Sequence, residues 1–280
     1  MSNKINKKKQ SIPGSTVAAI GAIAAICFCV LFVIFRATGA GAYTESEDAR
    51  NGAQYLSNIE GKDVKVIADR IGQSAKAQKT DAAAGKLEAL GTDETDMWSL
   101  FDGIVIVGDS RTQSFSEFGY LPESVVVAKL GANLKYADEV IDEVAAKQPT
   151  SLIFTYGIND VDGNWHSAED FIERYKEILG IYRSKLPNTD IYVCSIIPVK
   201  DVAVEEDSHL ADVPEYAAAV RQMCEDEGYI FIDCDSLFDY DEYFEGDGIH
   251  FTSQMYPIWG EILLRKVFEN ESGQSAEANG

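Results

Sequence analysis

Three residues of the sequence suit nucleophilic catalysis by a serine. Ser110, in the segment Gly-Asp-Ser-Arg at 108–111, is a candidate nucleophile, and His250 is a candidate base. A serine hydroxyl is a weak nucleophile at neutral pH, so it needs a base, which in turn needs an orienting acceptor. Asp247 lies three residues before His250 and can accept the proton of the second ring nitrogen if the segment makes one turn. The predicted catalytic residues are Ser110, Asp247 and His250.

Such a mechanism also needs N–H donors for the negative oxygen of a tetrahedral intermediate. The backbone N–H groups of Ser110 and Gly131 and the side-chain amide of Asn159 can supply three donors. A glycine at position 131 lets the backbone approach a substrate without a clash from Cβ. We therefore predict an oxyanion hole formed by Ser110, Gly131 and Asn159.

The neighbours of these residues have two kinds of predicted role. Asp109 and Asp160 are expected to give structural support through hydrogen bonds. Trp165 lies just after the Gly-Ile-Asn-Asp segment at 157–160, and it is either a packing residue or a platform for substrate. Arg111 either binds a substrate anion or pairs with a surface acid, and we favour the surface pairing.

A metal hydrolase is the competing chemical interpretation, because Asp109, Asp160, Asp247 and His250 are all possible ligands. The sequence lacks HExxH or another close pair of ligands, so we predict no metal and no cofactor. It also lacks the GxSxG elbow of α/β-hydrolases and the glycine-rich motifs of nucleotide-binding proteins.

The elements that must position these residues alternate between strands and helices. Four chemical segments carry these residues: Gly-Asp-Ser-Arg at 108–111, the segment around Gly131, Gly-Ile-Asn-Asp at 157–160 and Asp-Gly-Ile-His at 247–250. Three of them directly follow short apolar runs, and amphipathic helices separate these runs. Strands that are apolar on both faces indicate a parallel sheet covered on both sides, with ligands at the carboxyl ends of the strands. We predict an α/β fold, a three-layer α/β/α sandwich. Its five parallel strands come from the runs at 104–107, 124–131, 151–157, 190–198 and 229–233.

Three amphipathic patterns predict how the helices pack. The first helix places five apolar residues on one face, the second begins with a capping pattern from Ser167 to Asp170, and the last is rich in large apolar residues. The predicted buried residues are Ala137, Val140, Ile141, Val144 and Ala145; Phe171, Tyr175, Ile178, Leu179 and Tyr182; and Met255, Trp259, Ile262, Leu263 and Val267.

In this order the four segments resemble the SGNH (GDSL-type) family of esterases and acylhydrolases. That family is named for a Ser, a Gly, an Asn and a His, which here are Ser110, Gly131, Asn159 and His250. The resemblance covers about residues 98–270. It implies a flavodoxin-like hydrolase fold and a serine esterase that acts on O-acyl, above all O-acetyl, groups of a glycan or a small ester. Two alternatives stay open: an O-acyltransferase acting on a cell-surface polysaccharide, and a catalytically silent surface binding domain.

The N-terminal part predicts a membrane anchor. Residues 17–35 contain no charge, and as a helix they match the hydrocarbon thickness of a bilayer. Four lysines before this run favour a cytoplasmic N-terminus, so the rest of the chain is expected outside a cell membrane that it crosses once. Cleavage of a signal peptide after Ala42 is the alternative. The predicted parts are a basic N-terminus (1–15), a transmembrane signal-anchor (16–36), a partly helical stalk (37–97), the hydrolase domain (98–270) and a disordered tail (271–280).

Charge limits the classes of partner. The net charge is −22, and residues 1–36 hold five basic and no acidic residues, so the remaining chain has an excess of 27 acids. Such a surface repels phosphate backbones, so we predict no nucleic-acid partner. The expected partners are an acylated glycan or small ester and the cytoplasmic membrane, with a monomer favoured.

Overall fold

A computed structural model describes residues 78–90, 92, 96–161 and 165–273. Its centre is a sheet of five parallel strands in the order β2-β1-β3-β4-β5. The predicted α/β fold with a five-stranded parallel sheet is therefore confirmed. The strands are β1 (Ile104–Gly108), β2 (Val126–Ala128), β3 (Ser151–Phe154), β4 (Asp190–Cys194) and β5 (Ile230–Ile232).

Seven α-helices connect and cover these strands in the described part of the chain beyond residue 96. They are α1 (Ser110–Glu117), α2 (Leu134–Glu139), α3 (Ile141–Lys147), α4 (Ala168–Lys185), α5 (Asp201–Glu206), α6 (Val213–Glu227) and α7 (Met255–Ser272). Short 3-10 helices occupy Met97–Phe101, Ile158–Asp160, Ser208–Asp212, Asp235–Asp239 and Asp241–Tyr243. Residues 78–89 are also helical, and we call them the N-terminal helical segment.

The sheet separates two apolar cores, because alternate residues of a strand point to opposite faces. All five residues of β1 are buried; Val105 and Val107 belong to one core, and Ile104 and Ile106 to the other. The first core contains side chains of α2, α3, α4 and α6. The second contains Phe115 of α1 and the apolar face of α7. Helices thus cover both faces of the sheet, which gives three layers.

Two of the three helix patterns describe the structure closely. The side chain of Ser167 caps α4 by accepting a hydrogen bond from Asp170 N, and all five predicted apolar residues of α4 are buried. In α7 the predicted residues are buried except Ile262, which is only partly covered. The first pattern is not one helix, because the backbone departs from α geometry at Val140 (φ −97°, ψ 5°), which separates α2 from α3.

The N-terminal helical segment packs against the second core. Ala83 of this segment and Leu90, directly after it, are buried, and Leu90 lies in the same cluster as Phe101 and the side chains of α7. The Nζ of Lys79 lies 3.3 Å from carboxylate oxygens of both Asp190 and Glu271. The end of the segment predicted as a stalk therefore contacts the domain at the amino end of β4.

The predicted transmembrane run at 17–35 lies outside the described residues. Among the helices that the structure describes, none is both long and apolar enough to span a bilayer.

Gly108, the last residue of β1, tests how closely the strand ends are packed. A Cβ at this position would lie 2.0 Å from Thr155 Oγ1 and 2.5 Å from Thr112 Oγ1. We expect Gly108→Ala to lower the free energy of unfolding by about 1–3 kcal/mol, as overpacking of a dense core does. Urea denaturation followed by circular dichroism measures this change.

Gly85→Ala is the matched control, because Gly85 is exposed in the N-terminal helical segment and a Cβ there meets no atom within 4 Å. This control should raise stability by up to about 1 kcal/mol, since alanine favours a helix over glycine. Equal stability of the Gly108→Ala variant and the wild type would contradict the packing described at the end of β1.

Candidate active site

The predicted site residues meet at the carboxyl edge of the sheet. Ser110 begins α1 directly after β1, Gly131 follows β2, and Asn159 lies in the 3-10 helix after β3. Asp247 and His250 lie in the turn between β5 and α7, which we call the histidine loop (Glu245–His250). In a parallel sheet the strands end at one edge, so segments far apart in sequence lie side by side.

Ser110 and His250 are in direct contact. The Oγ of Ser110 lies 2.9 Å from the Nε2 of His250, which is hydrogen-bonding distance. Both side chains are partly buried, and the His250 side chain is 33% exposed. The imidazole can therefore accept the hydroxyl proton of Ser110 when its Nε2 carries a lone pair.

Asp247 fixes the orientation of this imidazole. Its Oδ2 lies 2.6 Å from the Nδ1 of His250, and its Oδ1 accepts the backbone N–H groups of Ile249 (2.8 Å) and His250 (2.9 Å). Burial raises the pKa of the Asp247 carboxyl, but these hydrogen bonds outweigh it and lower the pKa below its ordinary value. The carboxylate is thus charged at neutral pH and holds the proton on Nδ1, which leaves Nε2 free to act as a base toward Ser110.

The two other predicted donors belong to adjoining loops. Gly131 is exposed and has φ +68°, the left-handed region that favours glycine. The Nδ2 of Asn159 donates a hydrogen bond to the Ala132 carbonyl at 2.9 Å, so the amide is tied to the Gly131 loop. An amide nitrogen carries two protons, so one N–H remains for a substrate oxygen.

The turn before Asn159 requires glycine as well. Gly157 has φ +140°, and a Cβ at this position would lie 2.4 Å from the side chain of Ile196. This backbone conformation directs the chain from β3 into the 3-10 helix that carries Asn159. Gly157 is therefore more than a strand terminator, because it sets the position of a predicted donor.

Asp160 connects the loop of Gly131 to Trp165. Its Oδ1 accepts hydrogen bonds from the backbone N–H of Leu134 at 3.2 Å and from the indole N–H of Trp165 at 3.1 Å. Trp165 also packs edge-to-face against Phe171 and is partly exposed. The carboxylate, for which a supporting role is predicted, thus holds the Trp165 ring beside the Asn159 turn.

Arg111 has a different environment from either one predicted for it. Its side chain is buried, at 3% exposure, so neither a surface ion pair nor open contact with substrate describes it. Nε donates to the Ile249 carbonyl at 2.8 Å and Nη1 to the Ile197 carbonyl at 3.0 Å. The physical reason is that α1 turns the residue after Ser110 inward, against Phe251, whose ring centre lies 4.9 Å from the guanidinium carbon.

Sequence reasoning missed the backbone groups that hold the histidine loop. The carbonyl of Ile197 binds Arg111, and the N–H of Lys200 donates to the Gly248 carbonyl at 2.9 Å. Both groups lie in residues 195–200, directly after β4. Main-chain partners leave no signature in residue type, and the only signal was that the apolar run continues past β4 to Pro198.

In the part of the chain that the structure describes, no three His, Cys, Asp or Glu side chains are grouped so that they could hold a metal ion. The four residues considered as ligands are used in other contacts. Asp247 and His250 bond to each other, Asp160 bonds to Leu134 and Trp165, and Asp109 accepts the backbone N–H of Arg111.

Asp109 is a buried carboxyl directly before Ser110. It is 1% exposed, and its Oδ1 caps α1 by accepting the backbone N–H of Arg111 at 3.0 Å. Burial raises the pKa of Asp109 to about 6, although the positive charge of Arg111 and the backbone hydrogen bonds oppose this rise. Asp109, for which a structural role is predicted, thus caps α1 with a buried carboxyl whose charged form is unfavourable.

This raised pKa predicts a pH dependence of stability. The folded state binds the Asp109 proton more tightly than the unfolded state does. The contribution of this proton to the stability of the fold is therefore fully present below pH 4 and is lost as the pH rises through about 6. Asp109→Asn keeps an acceptor for the cap but cannot ionise. The free energy of unfolding of the variant minus that of wild type should therefore rise by about 2–3 kcal/mol from pH 4 to pH 7, at about 1.4 kcal/mol per pKa unit.

Urea unfolding at the two pH values measures this gain. Asp96→Asn is the matched control, because Asp96 also caps a helix but is exposed, and it should show a much smaller change. A stability difference between Asp109→Asn and wild type that is the same at pH 4 and pH 7 would contradict the effect of burial.

A family model and several solved structures are similar to this chain. A model of the GDSL-like lipase/acylhydrolase family matches residues 106–258. A protein described as a GDSL-like lipase from Parabacteroides merdae is 23% identical, over 61% of this chain and 94% of its own, with a TM-score of 0.49. A GDSL-like lipase from Bacteroides thetaiotaomicron is 14% identical, over 68% and 97%, with a TM-score of 0.48. A mutant of an acetylxylan esterase from Geobacillus stearothermophilus is 18% identical, over 61% and 93%, with a TM-score of 0.44.

No curated protein matches the chain. The family model spans more than half of the sequence, from β1 to the first turn of α7, and includes all four chemical segments. The chain belongs to the GDSL-like lipase/acylhydrolase family, whose activity is the hydrolysis of esters.

Proposed function

We propose that this protein is a membrane-anchored, extracytoplasmic serine esterase that removes O-acyl groups, above all O-acetyl groups, from a glycan or small substrate. One observation carries the proposal: the continuous hydrogen-bonded series from Ser110 Oγ through the His250 ring to Asp247. The membrane anchor rests on the sequence of residues 17–35 alone.

In this mechanism the Oγ of Ser110 attacks the carbonyl carbon of the ester while Nε2 of His250 takes the hydroxyl proton. The positive imidazolium that forms is stabilised by the charged carboxylate of Asp247. The tetrahedral intermediate collapses when the alcohol leaves with the proton from His250, and an acyl-serine remains. Water then attacks the acyl group with His250 as base, which releases the acid and restores Ser110.

The negative oxygen of each tetrahedral intermediate needs donors fixed in advance. The proposed donors are the backbone N–H of Ser110 in the first turn of α1, the backbone N–H of Gly131 and the amide of Asn159, and the last two belong to adjoining loops. The hydrogen bond from Asn159 to the Ala132 carbonyl supports the proposal, because it fixes two of the three donors relative to each other.

Two features support a neutral glycan as substrate. Trp165 is partly exposed beside the Asn159 turn, and an aromatic face can stack on a sugar ring. The strongly acidic chain disfavours the approach of polyanions.

Ser110→Ala tests the serine mechanism. We expect ester hydrolysis to fall to background and covalent labelling by a fluorophosphonate to disappear, because both need the Oγ, while thermal stability stays nearly unchanged. Ser253→Ala, three residues after His250, is the matched control and should keep both activity and labelling. Undiminished turnover of the Ser110→Ala variant would refute the mechanism and revive the metal interpretation.

Asp247→Asn tests the orienting role of the carboxylate. Because the pKa of Asp247 is lowered, the carboxylate is already charged throughout the neutral range, and its replacement removes that charge at every working pH. An amide can hold His250 in the wrong tautomer, so kcat should fall by roughly 10²–10⁴-fold with a smaller change in KM.

Steady-state kinetics at pH 7 measure this loss, and Asp239→Asn, an exposed acid after β5, is its control. An Asp247→Asn enzyme with the kcat of the wild type would mean that another group orients His250.

The substrate class is tested with the full chain in detergent. Acetylated xylan, an acetylated wall glycan and p-nitrophenyl esters of increasing chain length are compared, each with and without a sugar acceptor. Release of acetate from the glycans supports the esterase. Transfer of the acyl group to the sugar at the expense of hydrolysis would identify an acyltransferase instead.

A further inference from the structure

We propose that Arg111 is a positioning residue that sets the distance between Ser110 and His250. The proposal rests on the serine mechanism proposed above and adds a residue to it. Arg111 directly follows Ser110 in α1, and it binds the carbonyl of Ile249, the residue directly before His250. The two residues joined by this 2.8 Å hydrogen bond are therefore the sequence neighbours of Ser110 and His250.

The guanidinium joins three segments of the chain at this point. The backbone of Arg111 belongs to α1. Its Nε donates to the carbonyl of Ile249 in the histidine loop, and its Nη1 donates to the carbonyl of Ile197 in the segment after β4. Two carbonyls in different segments suit the rigid fork of an arginine, whereas the single ammonium of a lysine cannot reproduce both directions. The side chain therefore has the geometry of a spacer between the nucleophile and the base.

The surroundings keep this spacer in place. Only 3% of Arg111 is exposed, and its guanidinium lies against the ring of Phe251, the residue after His250. The hydroxyl of Tyr256 donates to the Arg111 carbonyl at 3.0 Å, so this bond involves the backbone of α1 and not the guanidinium. A rigid arginine in contact with residues on both sides of His250 determines where the imidazole stands relative to α1.

The Asp247–His250 pair does not need Arg111 for its own geometry. The pair closes within one turn, through the side-chain bond and two backbone bonds to Asp247, and the turn is also held by Glu245 N donating to the His250 carbonyl at 2.8 Å. Loss of Arg111 should therefore displace Asp247 and His250 together. The contact that suffers is the one between His250 Nε2 and Ser110 Oγ.

This distinction predicts a kinetic signature. A displacement of the base by about 1 Å can cost about 10²-fold in rate, because proton transfer needs close and aligned atoms. Arg111→Met keeps an apolar side chain of similar length, and we expect its kcat to fall about 100-fold with KM within a factor of about three. Arg111→Lys keeps a buried cation that can reach one carbonyl, and it should recover part of that loss.

The matched control is Tyr256→Phe, which removes a buried hydrogen bond from the same residue without touching the histidine loop. Its kcat should stay within a factor of about three of wild type even where its thermal stability falls. Kinetics of the full chain in detergent are measured on a p-nitrophenyl ester, together with the rate of fluorophosphonate labelling. The low-field proton resonance of His250 Nδ1 reports the bond to Asp247, and it should persist in both Arg111 variants but vanish in Asp247→Asn.

The outcomes separate this proposal from the serine mechanism. An inactive Ser110→Ala variant together with Arg111→Met at nearly wild-type kcat would overturn the role of Arg111 and leave the mechanism intact. An active Ser110→Ala variant would overturn the mechanism itself. If Arg111→Met fails to fold, Arg111→Lys decides: loss of kcat with an intact Nδ1 resonance supports the proposal. Loss of the resonance, or activity losses in Arg111→Lys and Tyr256→Phe that follow stability alone, would overturn it.

Discussion

The hydrogen bond between Ser110 Oγ and His250 Nε2 joins residues that are 140 positions apart, and the arrangement of the site depends on it. It is possible because β1 and the segment after β5 reach the same edge of one parallel sheet. The serine is held by the start of α1, and the histidine by a turn that closes on Asp247. Neither element contains the site alone, so the chemistry depends on the whole sheet being folded.

Two opposite charges are buried on either side of the nucleophile. Burial raises the pKa of Asp109 and lowers that of Arg111, so each charged form is disfavoured by its surroundings and supported by the other. Both side chains bond to backbone groups, Asp109 to the N–H at the start of α1 and Arg111 to two carbonyls. Burying these two charged groups beside Ser110 therefore lowers the stability of the fold.

The parts of the structure that were predictable from sequence are those set by side-chain pattern. Alternating apolar runs predicted the five strands, and Ser167 with Asp170 predicted the start of α4. The spacing of three residues between Asp247 and His250 predicted their contact, and the structure contains it because one local turn joins them.

The unpredicted parts depend on the main chain or on tertiary packing. Arg111 is buried because two carbonyls receive it, and no residue type announces a carbonyl. The break at Val140 is a change of backbone angle inside a regular apolar pattern. The short, small-residue sequence around Ala83 has no strong apolar face, and its burial follows from contact with a core formed by later residues.

The N-terminal helical segment joins the domain at the end of the sheet opposite the site. Lys79 contacts Asp190, the first residue of β4, whereas the site lies beyond the last residues of the strands. A strand of five residues is about 17 Å long, so the point of attachment and the nucleophile lie on opposite poles of the domain. A force applied through the preceding chain therefore acts on the pole away from Ser110.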